Sequence, residues 1–234
     1  MITIKAFNKG LVCREFKYEI GKTYKIPKND VKRCNNGFHA SAHCDISETI
    51  YYYPISEDTE YALVDINVVY SIRDKVVGDK IKVIKKLKTL DELIEYDKTG
   101  EWCYLFVRYN AKKIKKDDVK KLQDAVLQKD KTGKLCYYFA RNIRNTDINK
   151  LQDAIIEKDE TGKWCTYFAI NVKNTNIAKL EDAVIRKDET GRWCAYFAED
   201  VDGANVKKLE NMIIEKDKTG KWYTYFSENI VEEL

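Results

Sequence analysis

The chain has 234 residues, 44% of them hydrophobic and 34% charged, with a formal net charge of +4. That length allows one large domain or two small ones, and the apolar content supports a core, which excludes a disordered or low-complexity chain. The charge is too nearly balanced to indicate a polyanion partner by itself, and the absence of any run of 18 apolar residues predicts no membrane-spanning helix.

Residues 1–86 do not repeat. Runs from Ile2 to Phe7, Phe16 to Ile20, Thr23 to Ile26 and Tyr61 to Val69 alternate or are rich in β-branched and aromatic residues, which predicts short strands. Ile20-Gly21-Lys22 and Asn36-Gly37 read as turns. Asp45 to Tyr53 reads as a short helix: Asp45 caps it, Glu48 follows three residues later and Pro54 stops it. Val76 to Leu87 reads as a last strand. A small, mostly-β α+β domain is expected over 1–86.

Three segments of this region carry a resemblance. CREFKYEIGKTY from Cys13, CNNGFHA from Cys34 and YYYP from Tyr51 together resemble a small domain common in phage and prophage proteins, whose function is unknown. The resemblance implies a mobile-element origin and supplies no activity. With no secretory leader and seven cysteines, it implies the reducing cytoplasm of a bacterial host cell.

From Leu87 onward the apolar residues recur with a helical period. LQDAIIEKDETGKWCTYFAINVKNTNIAK, beginning at Leu151, has counterparts beginning at Leu90, Leu122, Leu180 and Leu209. Gly133, Gly162, Gly191 and Gly220 are spaced 29 residues apart, and a fixed period in this range marks a stacked-repeat architecture. Leu151, Ala154 and Ile155 share one helical face, and Trp164, Cys165, Phe168 and Val172 a second. Lys158 to Gly162 is the break between them, with Thr161 as the expected cap of the second helix. Five two-helix repeats of about 29 residues are therefore expected over 87–234. A single pair leaves apolar faces uncovered, so neighbours must stack into a solenoid. These units resemble short HEAT-like repeats.

Several motifs invite a chemical reading. Five DKTG or DETG strings begin at Asp97, Asp130, Asp159, Asp188 and Asp217 and resemble the phosphorylated loop of ion-pumping ATPases. A phosphoryl-accepting aspartate acts once per site, beside magnesium-binding carboxylates. Five copies between helices read instead as turn and cap. Cys13, Cys34, His39, His43 and Cys44 are metal-ligand types but lack a Cys-x-x-Cys pair, so neither a metal nor a cofactor is expected.

Arg14, then Gly21-Lys22-Thr23-Tyr24, then Gly37-Phe38-His39-Ala40-Ser41 resemble in outline the first half of ADP-ribosyltransferase-like folds. That resemblance implies Arg14 and His39 as candidate site residues. It also requires a later glutamate, and no Glu-x-Glu follows. The reading demands that Arg14, His39 and a glutamate share one cleft.

Arg108, Lys112, Lys113, Lys115, Lys116, Lys120, Lys121, Arg141 and Arg144 crowd the first connection between repeats. Such a cluster is a candidate footprint for an acidic partner, either a protein face or nucleic-acid phosphates. The position of Arg141 becomes Ile170, Glu199 and Glu228 in later copies, a gradient from basic to acidic. Tyr138, Tyr167, Tyr196 and Tyr225 lie one helical turn after Leu135, Trp164, Trp193 and Trp222, which reads as packing or as a partly exposed aromatic ladder.

The expected function is non-catalytic macromolecular binding, preferentially of a host protein, with inhibition of a host defence function as its specific form. A nucleic-acid binder using the basic junction 80–121 and a transferase-like enzyme in the N-terminal domain are the alternatives.

Overall fold

The computed structural model describes residues 1–33, 35–110 and 114–230. Its first part is a seven-stranded antiparallel sheet. The strands are β1 (Ile2–Asn8), β2 (Val12–Cys13), β3 (Phe16–Lys17), β4 (Thr23–Lys25), β5 (Phe38–Ser41), β6 (Thr59–Ile72) and β7 (Lys75–Leu87). Their order is β3-β2-β1-β6-β7-β4, with β5 also paired to β7.

The long β6–β7 hairpin is the spine. Its pairing shifts register at Leu63/Val64, Asn67/Val68 and Val68/Tyr70. Such bulges increase local twist, and the sheet curls into a half-barrel. Gly78 sits at one shift, where an added Cβ would lie 2.3 Å from the Asn67 carbonyl oxygen, so only glycine lets the strands close. One face of the sheet carries a core of Phe7, Ala62, Val64, Ile66, Ile81 and Val83, with Tyr18 packed on it. Helix α1 (Ile46–Tyr52) packs on β1, and the Asp45 carboxylate accepts from Ser47 N at 2.9 Å, as the sequence predicts.

The strand reading of 1–86 is shown in outline. Phe16 to Ile20 pairs over only two residues, because Tyr18 turns inward to bury its ring while Glu19 and Ile20 leave the sheet. β2 and β5 are too short to show a period of two and escape a sequence reading.

Ten helices follow. By contact the chain forms two compact units, 1–109 and 110–234. The change from strand to helix falls between β7 and α2 (Leu90–Tyr96), which Thr89 and Glu92 cap reciprocally. With α3 (Glu101–Asn110) this makes the first pair, which groups with the sheet. Ser47 Oγ donates to Asp97 Oδ1 at 3.2 Å, tying α1 to the turn between α2 and α3.

The second unit holds α4 (Lys116–Lys129), α5 (Lys134–Asn142), α6 (Ile148–Lys158), α7 (Lys163–Asn171), α8 (Ile177–Lys187), α9 (Arg192–Asp200), α10 (Val206–Lys216) and α11 (Lys221–Asn229). The helix pairs stack as expected: α5, α7, α9 and α11 lie side by side, and α6, α8 and α10 each contact the second helices on both sides. Leu122, Leu151, Leu180 and Leu209 are fully buried, as are Phe139, Phe168 and Phe197. Burying each such side chain is worth about 1.5–3 kcal/mol.

The recurring polar residues hold the stack together. The Asp159 carboxylate accepts from Thr161 N at 3.0 Å and, across the turn, from Cys165 N at 2.9 Å. Asp130 and Asp188 do the same in their repeats. The aspartate therefore caps the second helix from a position six residues upstream. Thr161 Oγ1, the expected cap, accepts from Lys163 N at 3.3 Å and donates to Asp159 Oδ1 at 3.3 Å, while Gly162 occupies the cap position with a left-handed backbone. Gly162 also lets the next repeat approach: a Cβ there would stand 3.3 Å from Val184 Cα.

Bonds between repeats follow the same register. Gln123 Oε1 accepts from Asp147 N, Gln152 Oε1 from Asn176 N and Glu181 Oε2 from Asn205 N, each 24 residues on, at 2.7–2.9 Å. Lys158 Nζ donates to the Asp130 carbonyl at 2.7 Å and Lys216 Nζ to the Asp188 carbonyl at 2.7 Å; Lys187 bonds the Asp159 carbonyl. Burial pushes the Cys136, Cys165 and Cys194 thiols far up, which makes them inert core groups.

Candidate functional site

The described residues singled out above fall in three places: the helical stack, the basic junction and the β unit. On the helical stack, the second helix of every repeat starts at a glycine in the same conformation. Helical spacing then places Trp164 and Tyr167, Trp193 and Tyr196, and Trp222 and Tyr225 one turn apart on equivalent faces. Their rings join into one band: Tyr138, Trp164, Tyr167, Trp193, Tyr196, Trp222 and Tyr225 follow one another with centroids 5.6–6.1 Å apart. Most contacts are edge-to-face, the favoured arrangement for aromatic quadrupoles. Trp193 is buried and the other six rings are half-buried.

Cations lie over this band. Lys163 Nζ is 5.0 Å from the Trp164 ring centre, and Lys221 Nζ is 4.7 Å from that of Trp222. The Arg192 guanidinium lies over Trp193, Tyr196 and Trp222 at 5.0, 5.6 and 5.4 Å, so it spans two repeats. Such contacts hold a cation partly desolvated beside apolar surface. The variable position reaches a band ring at Glu199 and, at Arg141, Tyr137, which packs beside Trp164 and Tyr167. Arg141 Nη1 donates to Tyr137 Oη at 3.1 Å, and the Tyr225 hydroxyl donates to Glu199.

Along the chain, the basic junction falls in both units. Arg108 ends α3 in the first unit, where Nη1 donates to Tyr104 Oη at 3.1 Å. Lys112 and Lys113 lie outside the described residues. Lys115 precedes α4, and Lys116, Lys120 and Lys121 are exposed on it, interleaved with Asp117 and Asp118 in its first turn. Arg144 is exposed in the turn after α5.

In the β unit, Arg14 and His39 line one cleft of about 600 Å³. Arg14 is on the β2–β3 turn and Nη1 donates to the Asn35 carbonyl at 3.1 Å. His39 is on β5 opposite Val77. Burial lowers the His39 pKa, Lys5, Arg14 and Lys75 lower it further, and a hydrogen bond with the Gly37 backbone opposes them. Glu48, read from sequence only as part of the α1 start, lines a smaller adjoining pocket together with His39, and accepts from Ser41 Oγ at 3.3 Å. Lys5, also missed, is buried in the same place. A lysine inside the apolar run of β1 was its available signal. Among the described residues no group of three or more His, Cys, Asp or Glu side chains could hold a metal ion, and no helix is long and apolar enough to cross a membrane.

A curled antiparallel sheet followed by stacked helix pairs defines an α+β protein of two parts. Residues 1–95 match the model of a domain of unknown function (DUF7666), which spans the sheet, α1 and most of α2. No curated protein and no solved structure matches the chain.

Proposed function

We propose that this is a protein-binding protein without catalysis, and that the aromatic band on α5, α7, α9 and α11 is its contact surface. The observation that carries this reading is the continuity of the band: seven rings, interleaved with Lys163, Arg192 and Lys221, across four successive helix pairs. Trp, Tyr and Arg are the residue types that dominate binding energy at protein interfaces. Rings already held by their neighbours lose little freedom on binding, which favours affinity.

A protein partner fits better than nucleic acid. Glu199 bonds within the band, and Asp200 and Glu228 are exposed near its far end, where carboxylates would repel phosphates. The mobile-element origin implied by the sequence resemblance makes that partner a host protein, and inhibition of it the outcome.

The test is recovery of a partner from host lysate by the full chain, with and without nuclease, alongside Arg192→Glu and Lys221→Glu. Binding is expected to survive nuclease and to weaken at least about tenfold in each variant, with the helical circular dichroism unchanged. Recovery that collapses with nuclease, or that ignores both charge reversals, overturns the reading.

A further inference from the structure

The cleft of the β unit has a composition that the binding function of the stack does not use. Lys5, Arg14, Lys25 and Lys75 line it, and among the described residues it has no carboxylate in its lining. Lys5 is the unusual member. It is only 5% exposed, and its Nζ finds the His39 carbonyl at 2.8 Å, the Cys13 thiol and the Phe7 ring at 5.2 Å, but no carboxylate among the described residues. A buried ammonium without a counter-charge is costly unless something anionic completes it.

The turn that presents Arg14 is also costly. Arg14 and Glu15 both have positive φ, at 48° and 67°. Two-residue hairpin turns of that sign normally carry Asn-Gly or Asp-Gly. Strain of this kind persists where the position of a side chain matters.

Two further features define the rest of the ligand. Phe16 and Tyr53 line the cleft with half their surface exposed, at 49% and 48%, and so offer open ring faces. Behind them lies the smaller pocket of about 100 Å³, which shares Lys5, His39, Tyr53 and Lys75 with the cleft. Two of its lining residues carry buried side-chain atoms that lack a hydrogen-bond partner among the described residues, His39 Nε2 and Thr49 Oγ1, and Thr49 is only 5% exposed. Glu48 and Asp74 add carboxylates to the same lining. Unpaired buried atoms of this sort call for donors and acceptors from elsewhere.

Cations outside, ring faces between and unpaired polar atoms within match one chemical class. We propose that the cleft binds a free nucleoside monophosphate. The phosphate lies among Lys5, Arg14 and Lys75, the base lies against Tyr53 and Phe16, and its polar edge enters the inner pocket toward His39, Thr49 and Glu48. Inorganic phosphate would satisfy only the first of these groups, and a nucleoside only the other two.

Isothermal titration of the full chain with AMP, CMP, GMP, UMP, adenosine and inorganic phosphate tests this. At least one monophosphate is expected to bind with a Kd below about 100 µM, at least about a hundredfold tighter than phosphate or the nucleoside. Arg14→Gln, on an exposed turn where unfolding is not at issue, is expected to weaken it at least about tenfold, and Thr49→Val about fivefold. If no monophosphate saturates below about 1 mM, or if all bind no better than phosphate, the proposal is overturned. It is equally overturned if Arg14→Gln binds like the parent chain. Tight binding of a 5′-phosphorylated oligonucleotide without binding of free monophosphates would replace it with a strand-end site.

Discussion

The two units differ in their buried polar groups: the first bonds Thr3, Ser47 and Asp97 but also holds unpaired atoms. In the second unit, Asp130, Gln152, Asp159, Glu181 and Asp188 are all buried, and each is bonded to a backbone amide at a fixed distance along the chain. Among the described residues, the three buried side-chain polar atoms without a partner are His39 Nε2, Thr49 Oγ1 and Trp102 Nε1, all in the first unit. The buried, uncompensated Lys5 is there too. A repeat can satisfy its polar groups because an identical neighbour always stands at the same offset. A sheet with a cleft has no such neighbour, and two of the three unpaired atoms collect where its cavities meet.

The sharpest way to break this contrast is to remove a satisfied carboxylate. Asp159→Ala orphans the amides of Thr161 and Cys165, and the expected loss is about 3 kcal/mol, read from denaturant unfolding. Asp217→Ala, in a turn where Thr219 and Tyr223 are exposed, is expected to lose about 1 kcal/mol. Equal losses would show that burial does not set the cost.

Glycine gives the next largest effect. Both Gly162→Ala and Gly220→Ala force a side chain into the left-handed region, but only Gly162 faces another helix. Losses of about 2 and about 1 kcal/mol are expected, again from unfolding midpoints. In the β unit the sign reverses. Lys5→Met removes an uncompensated buried charge and is expected to raise stability by about 1 kcal/mol, provided the ligand is absent. Destabilisation there would mean that Lys5 is as well satisfied as the repeat residues.

The smallest effect concerns pH. The amide of Lys88, then the Lys85 ammonium and the Thr89 amide, hold the Glu92 carboxyl down at about 2. Its folded pKa lies below the ordinary 4.5, so its contribution is complete above that value and is lost as pH falls through about 2. Glu92→Gln is expected to flatten the acid limb of the unfolding midpoint between pH 5 and pH 2.

The repeats were legible because each declares itself locally: one leucine at the same place in each first helix, from Leu122 to Leu209, and a glycine every 29 residues from Gly133 to Gly220. What fills the turn was only half legible. Threonine is the ordinary cap, but the carboxylate of Asp159 reaches farther and takes the buried amides first. Bonds such as Gln152 to Asn176 span 24 residues and leave no local pattern. The β unit was harder still. Lys5 and His39 meet across 34 residues, through a strand of only four residues, so nothing in their own neighbourhoods announces the cleft. Arg14 and His39 were named from their motif surroundings, and the packing partners that give them a setting were not.

The inter-repeat bonds also bear on how such a chain changes length. The recurring backbone bonds between neighbours are addressed by constant offsets, 24 residues for the Gln152 type and 28 for the Lys187 type. Excising or duplicating one 29-residue block therefore returns each donor to an equivalent acceptor. Copy number is therefore an available variable of this architecture. Each gain or loss would move the end of the aromatic band by one Trp–Tyr step. The reach of the stack would then change in whole repeats rather than by point substitution.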